Sequence, residues 1–352
     1  MKLVTIIGAR PQFIKSALLS KFLKKEKVKE VIVDTGQHFN FDMNKIFFNQ
    51  LKIPSPKYFL NINNLSHNQM IAQMLIKLEV ILLKEKPDYV LVYGDTNSTI
   101  AGSLAAAKLN IKIIHVESGL RSFNNLMPEE INRKVTDHLS SYLLCPNKNS
   151  VNNLKKEGII NRKIINTGDV MYDSYLFFKK KQKPIYKFLK KKFILLTIHR
   201  EENSNLIFIK KIVKDLKYLP KDNLIIFPAH PRLKKILKVI KIQNNNLKII
   251  KPVGYFQMLW LINNCKYVIT DSGGLQKEAY FAKKYCFTIR NETEWVELVK
   301  LKVNFLIKDR IKIINKKLEI LKNKKNFNLK IYGKGKASLK IAKFIKKLKQ
   351  IN

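Results

Sequence analysis

Cysteine is scarce in this chain: Cys145, Cys265 and Cys286 are its only three in 352 residues. They are far apart, and no pair has metal-ligand spacing. Each sits in or beside an apolar segment, so buried free thiols are expected. No apolar run approaches the roughly 18 residues of a membrane helix, so no membrane partner is expected. The first apolar run, Leu3–Ile7, ends at Gly8. It is too short for a signal segment and reads as a first strand, which implies a cytoplasmic protein. No G-x-G-x-x-G follows it, so a nicotinamide-binding fingerprint is missing. Repeats of solenoid period are absent too. Acidic residues are few, 26 against 68 Lys and Arg, for a formal charge of +42. A nucleic-acid reader would gather that charge into a stripe interleaved with aromatics. Here the lysines are scattered, as at Lys179–Lys183, Lys190–Lys192 and Lys322–Lys325, and come with much Asn and Ile. That pattern reads as codon bias, not as a nucleic-acid surface. A basic field would still attract anionic substrates.

What is present describes two domains. The length exceeds one ordinary core, and a 46% hydrophobic content suffices for two. Apolar runs at Leu3–Ile7, Glu30–Asp34, Tyr89–Tyr93, Lys112–Val116, Tyr142–Pro146 and Ile164–Thr167 read as buried strands. So do Phe193–Ile198, Asn223–Phe227, Leu247–Lys251, Tyr267–Thr270 and Cys286–Ile289. Helical patterns lie between many of them, including Thr99–Lys108, Pro128–Ser140, Ile207–Leu219, Phe256–Asn264 and Leu275–Lys283. Such alternation implies α/β domains with parallel sheets covered on both faces. The expected division is 1–168 and 169–336, with the amphipathic helix from Ala337 packing back on the first domain. Ligands of doubly wound sheets bind outside the carboxyl ends of strands, so the loops there are the candidates for chemistry.

Five loops stand out. Gly8-Ala9-Arg10-Pro11 turns from strand to helix and sets Arg10 beside a helix N-terminus, a place for an anion. Asp95, in Gly94-Asp95-Thr96, is placed to cap the next helix, to act as a base or to hold a sugar hydroxyl. His115-Val116-Glu117-Ser118-Gly119-Leu120-Arg121 ends a strand, and Pro128-Glu129-Glu130 opens a helix. Glu117, Glu129 and Asp95 lie on loops expected to converge, where carboxylates acquire shifted pKa values and acid/base roles. His199 and His230 both follow apolar strands and precede helices. Without a third spaced ligand they do not read as a metal site. Ser272-Gly273-Gly274 lets helix N-terminal amides approach a phosphate, with Glu278 one turn on and Arg290 ending the next strand.

In order along the chain stand GARPQFIK, TGQH (35–38), Gly94-Asp95-Thr96, HVESGLR, PEEINR, TIHREEN, AHPR, TDSGGLQKEA, RNETEWVE and YGKGKAS. This set resembles the non-hydrolysing UDP-N-acetylglucosamine 2-epimerases over nearly the whole chain. The resemblance implies two Rossmann-like domains in a glycosyltransferase-B-type arrangement, with the active site in the interdomain cleft. It implies no metal, no other cofactor and a homodimer. The implied reaction removes the C2 proton, eliminates UDP to leave a bound 2-acetamidoglucal, and re-adds UDP after protonation on the other face. Carried over by motif, Asp95, Glu117, Glu129 and His199 are the catalytic groups. Arg10, Lys15, His230, Ser272, Gly273, Gly274, Glu278 and Arg290 bind the UDP-sugar. Gln37, His38 and Arg200 match a site for a second UDP-sugar as activator.

The chain departs from the simple members at several points. Glu201 stands where many have Arg, Lys334 where Asp is usual, and Lys277 where Glu is common. Glu294-Trp295-Val296-Glu297 and GARPQFIK resemble the branch acting on UDP-2,3-diacetamido-2,3-dideoxyglucuronic acid. That substrate is one alternative to UDP-N-acetylglucosamine. A glycosyltransferase on the same fold is another, although simple transfer does not require several carbon-acid partners.

Overall fold

The computed structural model describes residues 1–37, 47–160, 162–185, 193–200, 202–240, 246–321 and 327–348. It divides into two compact units, Met1–Phe177 with Lys330–Asn352, and Phe178–Leu329.

The first unit is built on β1 (Lys2–Ile7), β2 (Lys29–Asp34), β3 (Tyr58–Phe59), β4 (Tyr89–Tyr93), β5 (Lys112–Val116), β6 (Tyr142–Cys145) and β7 (Lys163–Asn166). Every pairing is parallel, in the order β3-β2-β1-β4-β5-β6-β7. The order reverses between β1 and β4, so the topological switch point opens there, where an open α/β sheet holds its ligand. The helices are α1 (Arg10–Lys25), α2 (His67–Glu85), α3 (Asn97–Lys108), α4 (Pro128–Leu139), α5 (Lys148–Lys156), α6 (Val170–Phe178) and, from the chain's end, α13 (Ala337–Leu348). Val4, Ile6, Val90 and Val92 pack with Leu78, Ile81, Ala101 and Ala105 on one face of the sheet. Small residues let α3 sit close: a Cβ at Gly102 would come 2.7 Å from Ile6 Cδ1. Buried Ala337, Ile341, Ala342, Ile345 and Leu348 give α13 one apolar stripe, and it docks on α1.

The boundary falls nine residues later than the sequence reading set it. Polar anchors explain why α6 stays with the first unit. Ser174 Oγ donates to the Ile14 carbonyl at 2.8 Å, and the Ser338 amide to Asp173 Oδ2 at 2.6 Å.

The second unit carries β8 (Ile194–Thr197), β9 (Ile225–Pro228), β10 (Leu247–Ile250), β11 (Val268–Thr270), β12 (Cys286–Thr288) and β13 (Asn304–Leu306). They too are all parallel, ordered β10-β9-β8-β11-β12-β13. Between them run α7 (Leu206–Asp215), α8 (Lys234–Val239), α9 (Tyr255–Asn264), α10 (Gly273–Phe281), α11 (Val296–Lys300) and α12 (Ile313–Leu321). Strand alternation builds a core on each face: Ile194, Leu196, Phe227, Ile269 and Phe287 enter one, and Phe193, Leu195, Ile226, Val268 and Cys286 the other. This explains the unbroken apolar runs in the sequence. All three cysteines are free and buried, and burial pushes each thiol up to about 12. Among the described residues no helix is long and apolar enough to cross a membrane.

Candidate functional site

In the first unit the switch point is assembled from the ends of β1, β4 and β5. Gly8 abuts Thr35 so closely that a Cβ there would overlap its Oγ1, so only glycine fits the turn. Gln12 then ties two loops together. Its Oε1 accepts from the Gly8 and Ala9 amides at 2.9 and 3.1 Å, and its Nε2 donates to the Tyr93 carbonyl at 2.9 Å. The sequence reading did not single out Gln12, although the spacing from Ala9 is that of a capping side chain. Arg10 lies over the Phe47 ring, 4.9 Å from its centroid.

Lys15 comes from the second turn of α1 and meets Glu117 beyond β5, Nζ to Oε1 at 2.5 Å, both buried. Glu117 holds a left-handed backbone, φ 72°. That conformation is costly for a side chain with a Cβ and recurs where function fixes a residue's direction. Gly94 stands beside the pair: a Cβ there would be 3.1 Å from Lys15 Nζ and 3.7 Å from Glu117 Oε1. Asp95 is partly exposed and receives Arg133 NH1 at 2.5 Å, while Asn132 Nδ2 donates to its carbonyl at 2.9 Å. The turn is therefore braced from α4. Thr96, not Asp95, caps α3, accepting from the Thr99 amide.

Glu129 is half-buried in the first turn of α4. Its neighbour Glu130 is fully buried and holds the preceding loop through the Ser122 and Phe123 amides at 2.9 and 3.0 Å. Burial opposes the Glu130 charge, but those amides and Arg133 hold its carboxyl below the usual range. The two adjacent acids thus differ in setting: Glu130 is buried in the loop's hydrogen bonds, and Glu129 is half-buried. Gln37 Oε1 accepts from the Ser98 amide and hydroxyl at 3.0 and 2.8 Å. His38 and Glu201 lie outside the described residues.

In the second unit Asp271 is the hub that the sequence reading left unassigned. Buried after β11, it accepts from the His199 amide at 3.1 Å, the Arg200 amide at 3.0 Å and Asn203 Nδ2 at 3.1 Å. Its Oδ1 is 2.8 Å from His199 Nδ1. Burial works against the charge, yet the His199 bond leads the contacts that hold the carboxyl below its usual range. A carboxylate at Nδ1 fixes the ring and leaves Nε2 for chemistry. The His199 and His230 rings are 6.3 Å apart, and His230 Nδ1 accepts from the Arg232 amide at 3.3 Å. Arg200 reaches Glu202 at 3.2 Å.

Ser272 caps α10, taking the Leu275 amide at 3.4 Å, so Gly273 and Gly274 open the helix with amides directed outward. Buried Arg290 pairs with Glu294, NH1 to Oε2, at 3.1 Å. A Cβ at Gly273 would crowd the same Glu294 carboxylate, which places Arg290 and Glu294 at the mouth of α10. Trp295 Nε1 donates to the Gly273 carbonyl at 3.0 Å, and Lys277 lies over the Trp295 ring at 4.1 Å. Glu278 is buried in the second turn of α10. Each unit thus collects its own half of the expected residues at the carboxyl edge of its sheet.

Comparison with known proteins gives these edges a context. The family profile described as UDP-N-acetylglucosamine 2-epimerase matches residues 21–346. A UDP-N-acetylglucosamine 2-epimerase homolog of Methanococcus maripaludis is 50% identical over 99% of this chain and 100% of its own length. The UDP-2,3-diacetamido-2,3-dideoxy-D-glucuronate 2-epimerase of Pseudomonas aeruginosa is 46% identical, again over 99% and 100%. Among solved structures, the Methanocaldococcus jannaschii UDP-GlcNAc 2-epimerase in complex with UDP-GlcNAc and UDP superposes with a TM-score of 0.90 at 42% identity, over 98% of this chain and 99% of that one. With the profile spanning most of the sequence and relatives aligned end to end, this chain belongs to the UDP-N-acetylglucosamine 2-epimerase family.

Proposed function

We propose that this chain inverts C2 of UDP-N-acetylglucosamine without hydrolysis, giving UDP-N-acetylmannosamine. The observation that carries the reading is Glu117, held in a left-handed backbone against Lys15, beside the Arg133-braced Asp95. Carbon-acid chemistry needs carboxylates poised to remove and return a proton, with cations near the developing charge. Asp95, Glu117 and Glu129 exchange the C2 proton and orient the sugar. His199, oriented by Asp271, assists the departing UDP oxygen. Elimination leaves a 2-acetamidoglucal, and UDP re-adds after protonation on the opposite face. Arg10, Lys15, His230, Ser272, Gly273, Gly274, Glu278 and Arg290 hold the UDP-sugar, and Gln37, His38 and Arg200 take a second one as activator.

The enzyme acts as a homodimer in the cytoplasm on precursors of surface polysaccharide. Support for the dimer comes from α2, where Ile76, Val80 and Leu83 are 67%, 64% and 55% exposed on one face.

A second substrate has its own support. Glu294-Trp295-Val296-Glu297 sits at the mouth of α10, and the relative at 46% identity is named for the diacetamido-glucuronate. One experiment separates the readings: proton NMR of the protein with UDP-N-acetylglucosamine in deuterated water. Loss of the C2 proton signal with appearance of UDP-N-acetylmannosamine is expected. Exchange only on the diacetamido-glucuronate moves the reading to that sugar, and exchange on neither favours a glycosyltransferase.

A further inference from the structure

Two residues before Glu117, His115 is fully buried and bonded at both ring nitrogens. Nε2 is 2.8 Å from the Gly94 carbonyl oxygen, and Nδ1 is 2.7 Å from Asp137 Oδ1 on α4. A carbonyl oxygen only accepts, so Nε2 carries a hydrogen. Asp137 also accepts from the Gly119 amide at 3.0 Å and Arg121 NH1 at 2.7 Å. The Arg121 guanidinium and the Gly119 amide on Oδ2 favour the ionised form of its carboxyl. It is therefore a carboxylate, which accepts and cannot donate, so Nδ1 carries a hydrogen too. A ring with two N–H groups is an imidazolium.

Charge balance gives the same answer. Arg121 donates to both oxygens of Glu157, each at 2.6 Å. The nearby Cys145 thiol, pushed up to about 12 by burial, adds no charge. Asp137 is wholly buried and shares Arg121 with Glu157, whose side chain is 25% exposed. A cationic His115 gives the buried aspartate a second counter-charge, on Oδ1.

We infer that His115 is a positioning residue, a buried imidazolium that fixes the Gly94–Asp95 turn through the Gly94 carbonyl. That carbonyl shares a planar peptide with the Asp95 amide, so holding one sets the departure of the other. Gly94 has φ 65° and no side chain of its own to restrain it. Its amide is bonded to the Val116 carbonyl at 2.9 Å, and His115 supplies the second anchor. The effect on turnover rests on the epimerase reading, whereas the charge on the ring does not.

The first test is long-range proton–nitrogen NMR of the native protein with isotope-labelled histidine, at about pH 7 and without substrate. Both His115 nitrogens should appear protonated. A ring with one bare nitrogen overturns the inference, whatever the reaction. The second compares His115→Gln and His115→Phe on the UDP-sugar that shows exchange. Turnover should fall on the order of 10-fold to 100-fold, as for a displaced reacting group, with UDP affinity unchanged. Wild-type turnover in folded His115→Phe overturns it. If neither variant folds, the ring charge in the native protein decides. Absent exchange on any UDP-sugar, with a doubly protonated ring, would sink the epimerase reading and leave the charged anchor standing.

Discussion

Lys15 and Glu117, 102 residues apart, meet at 2.5 Å in a buried pair at the carboxyl edge of the first sheet. Breaking such a pair from either side leaves the other charge unmatched, so the two substitutions should differ in kind. Glu117→Gln keeps the shape and removes the proton acceptor. It should cut C2 exchange on the order of 100-fold to 10,000-fold, the range of a lost general base, with UDP binding largely intact. Asp95→Asn should behave similarly. Lys15→Met should also slow turnover and weaken UDP-sugar binding. Isotope exchange in deuterated water and UDP titration measure both effects. Near-normal turnover in Glu117→Gln would remove it from the mechanism.

Arg133 joins Asp95 to Glu130, with NH1 at 2.5 Å from one and NH2 at 2.7 Å from the other. Glu130 in turn holds the loop through two amides, so the guanidinium braces both the Asp95 turn and the entry to α4. Arg133→Met should destabilise the protein by about 3–5 kcal/mol, the cost of stranding a buried charge. Urea unfolding would measure it. A loss under about 1 kcal/mol would mean that Glu130 takes up its proton or finds another partner at little cost.

Asp95 and Glu117 can be singled out as candidates because β4 and β5 are continuous apolar runs, and a parallel sheet puts ligands just past such runs. Their pairings cannot. Lys15, named only through its place in GARPQFIK, and Arg133 lie inside helices, and nothing local says which strand end they face. Gln12 and His115 read as ordinary helix and strand residues until the fold brings Tyr93 and Gly94 to them. Edge strands were hidden for a different reason. β3 has two residues and β13 three, too short for any period. The helix α2 had a readable start in Ser66 and Gln69, a capping box with the Gln69 amide 3.3 Å from Ser66 Oγ. The end of the first unit at Phe177 has no local signal, because Asp173 and Ser174 are anchored to segments far away in sequence.

Arg290 offers the cleanest separation of binding from chemistry. It is buried beside the mouth of α10 and engaged by Glu294, so it can meet a diphosphate without first being ordered. Arg290→Ala should weaken UDP binding by roughly 10-fold to 100-fold, the value of about 1.5–3 kcal/mol for a hydrogen bond to a charged group. Calorimetric titration with UDP checks this. An unchanged affinity would refute the assignment.

The exposed face of α2 predicts assembly. Ile76 and Val80 are spaced one turn apart and pointed away from the core. If they meet a second copy, a charge placed there has to be desolvated in the interface. Ile76→Glu with Val80→Glu should shift the protein from dimer to monomer in sedimentation velocity while leaving each unit folded. A variant that sediments like wild type would place the subunit contact elsewhere.

Asp173 predicts how stability changes with pH. The carboxyl is buried, with Oδ2 accepting the Ser338 amide at 2.6 Å. Burial raises it from 3.8 to about 6, against the pull of the Ser338 and Ala337 amides. The folded state therefore holds this proton more tightly than the unfolded chain does. Its stabilising contribution is complete below about pH 4 and is lost as pH rises through about 6. At neutral pH the ionised group costs up to about 3 kcal/mol, since a tenfold difference in proton affinity between the folded and unfolded states is worth about 1.4 kcal/mol. Asp173→Asn keeps an acceptor for the Ser338 amide and removes the ionisation. The variant should unfold at higher urea than wild type at about pH 7.5, with the advantage vanishing near pH 4. Comparing the two proteins at each pH cancels every other titrating acid. A variant less stable at pH 7.5 than at pH 4, relative to wild type, would show instead that the charged carboxylate is what holds the start of α13 to α6.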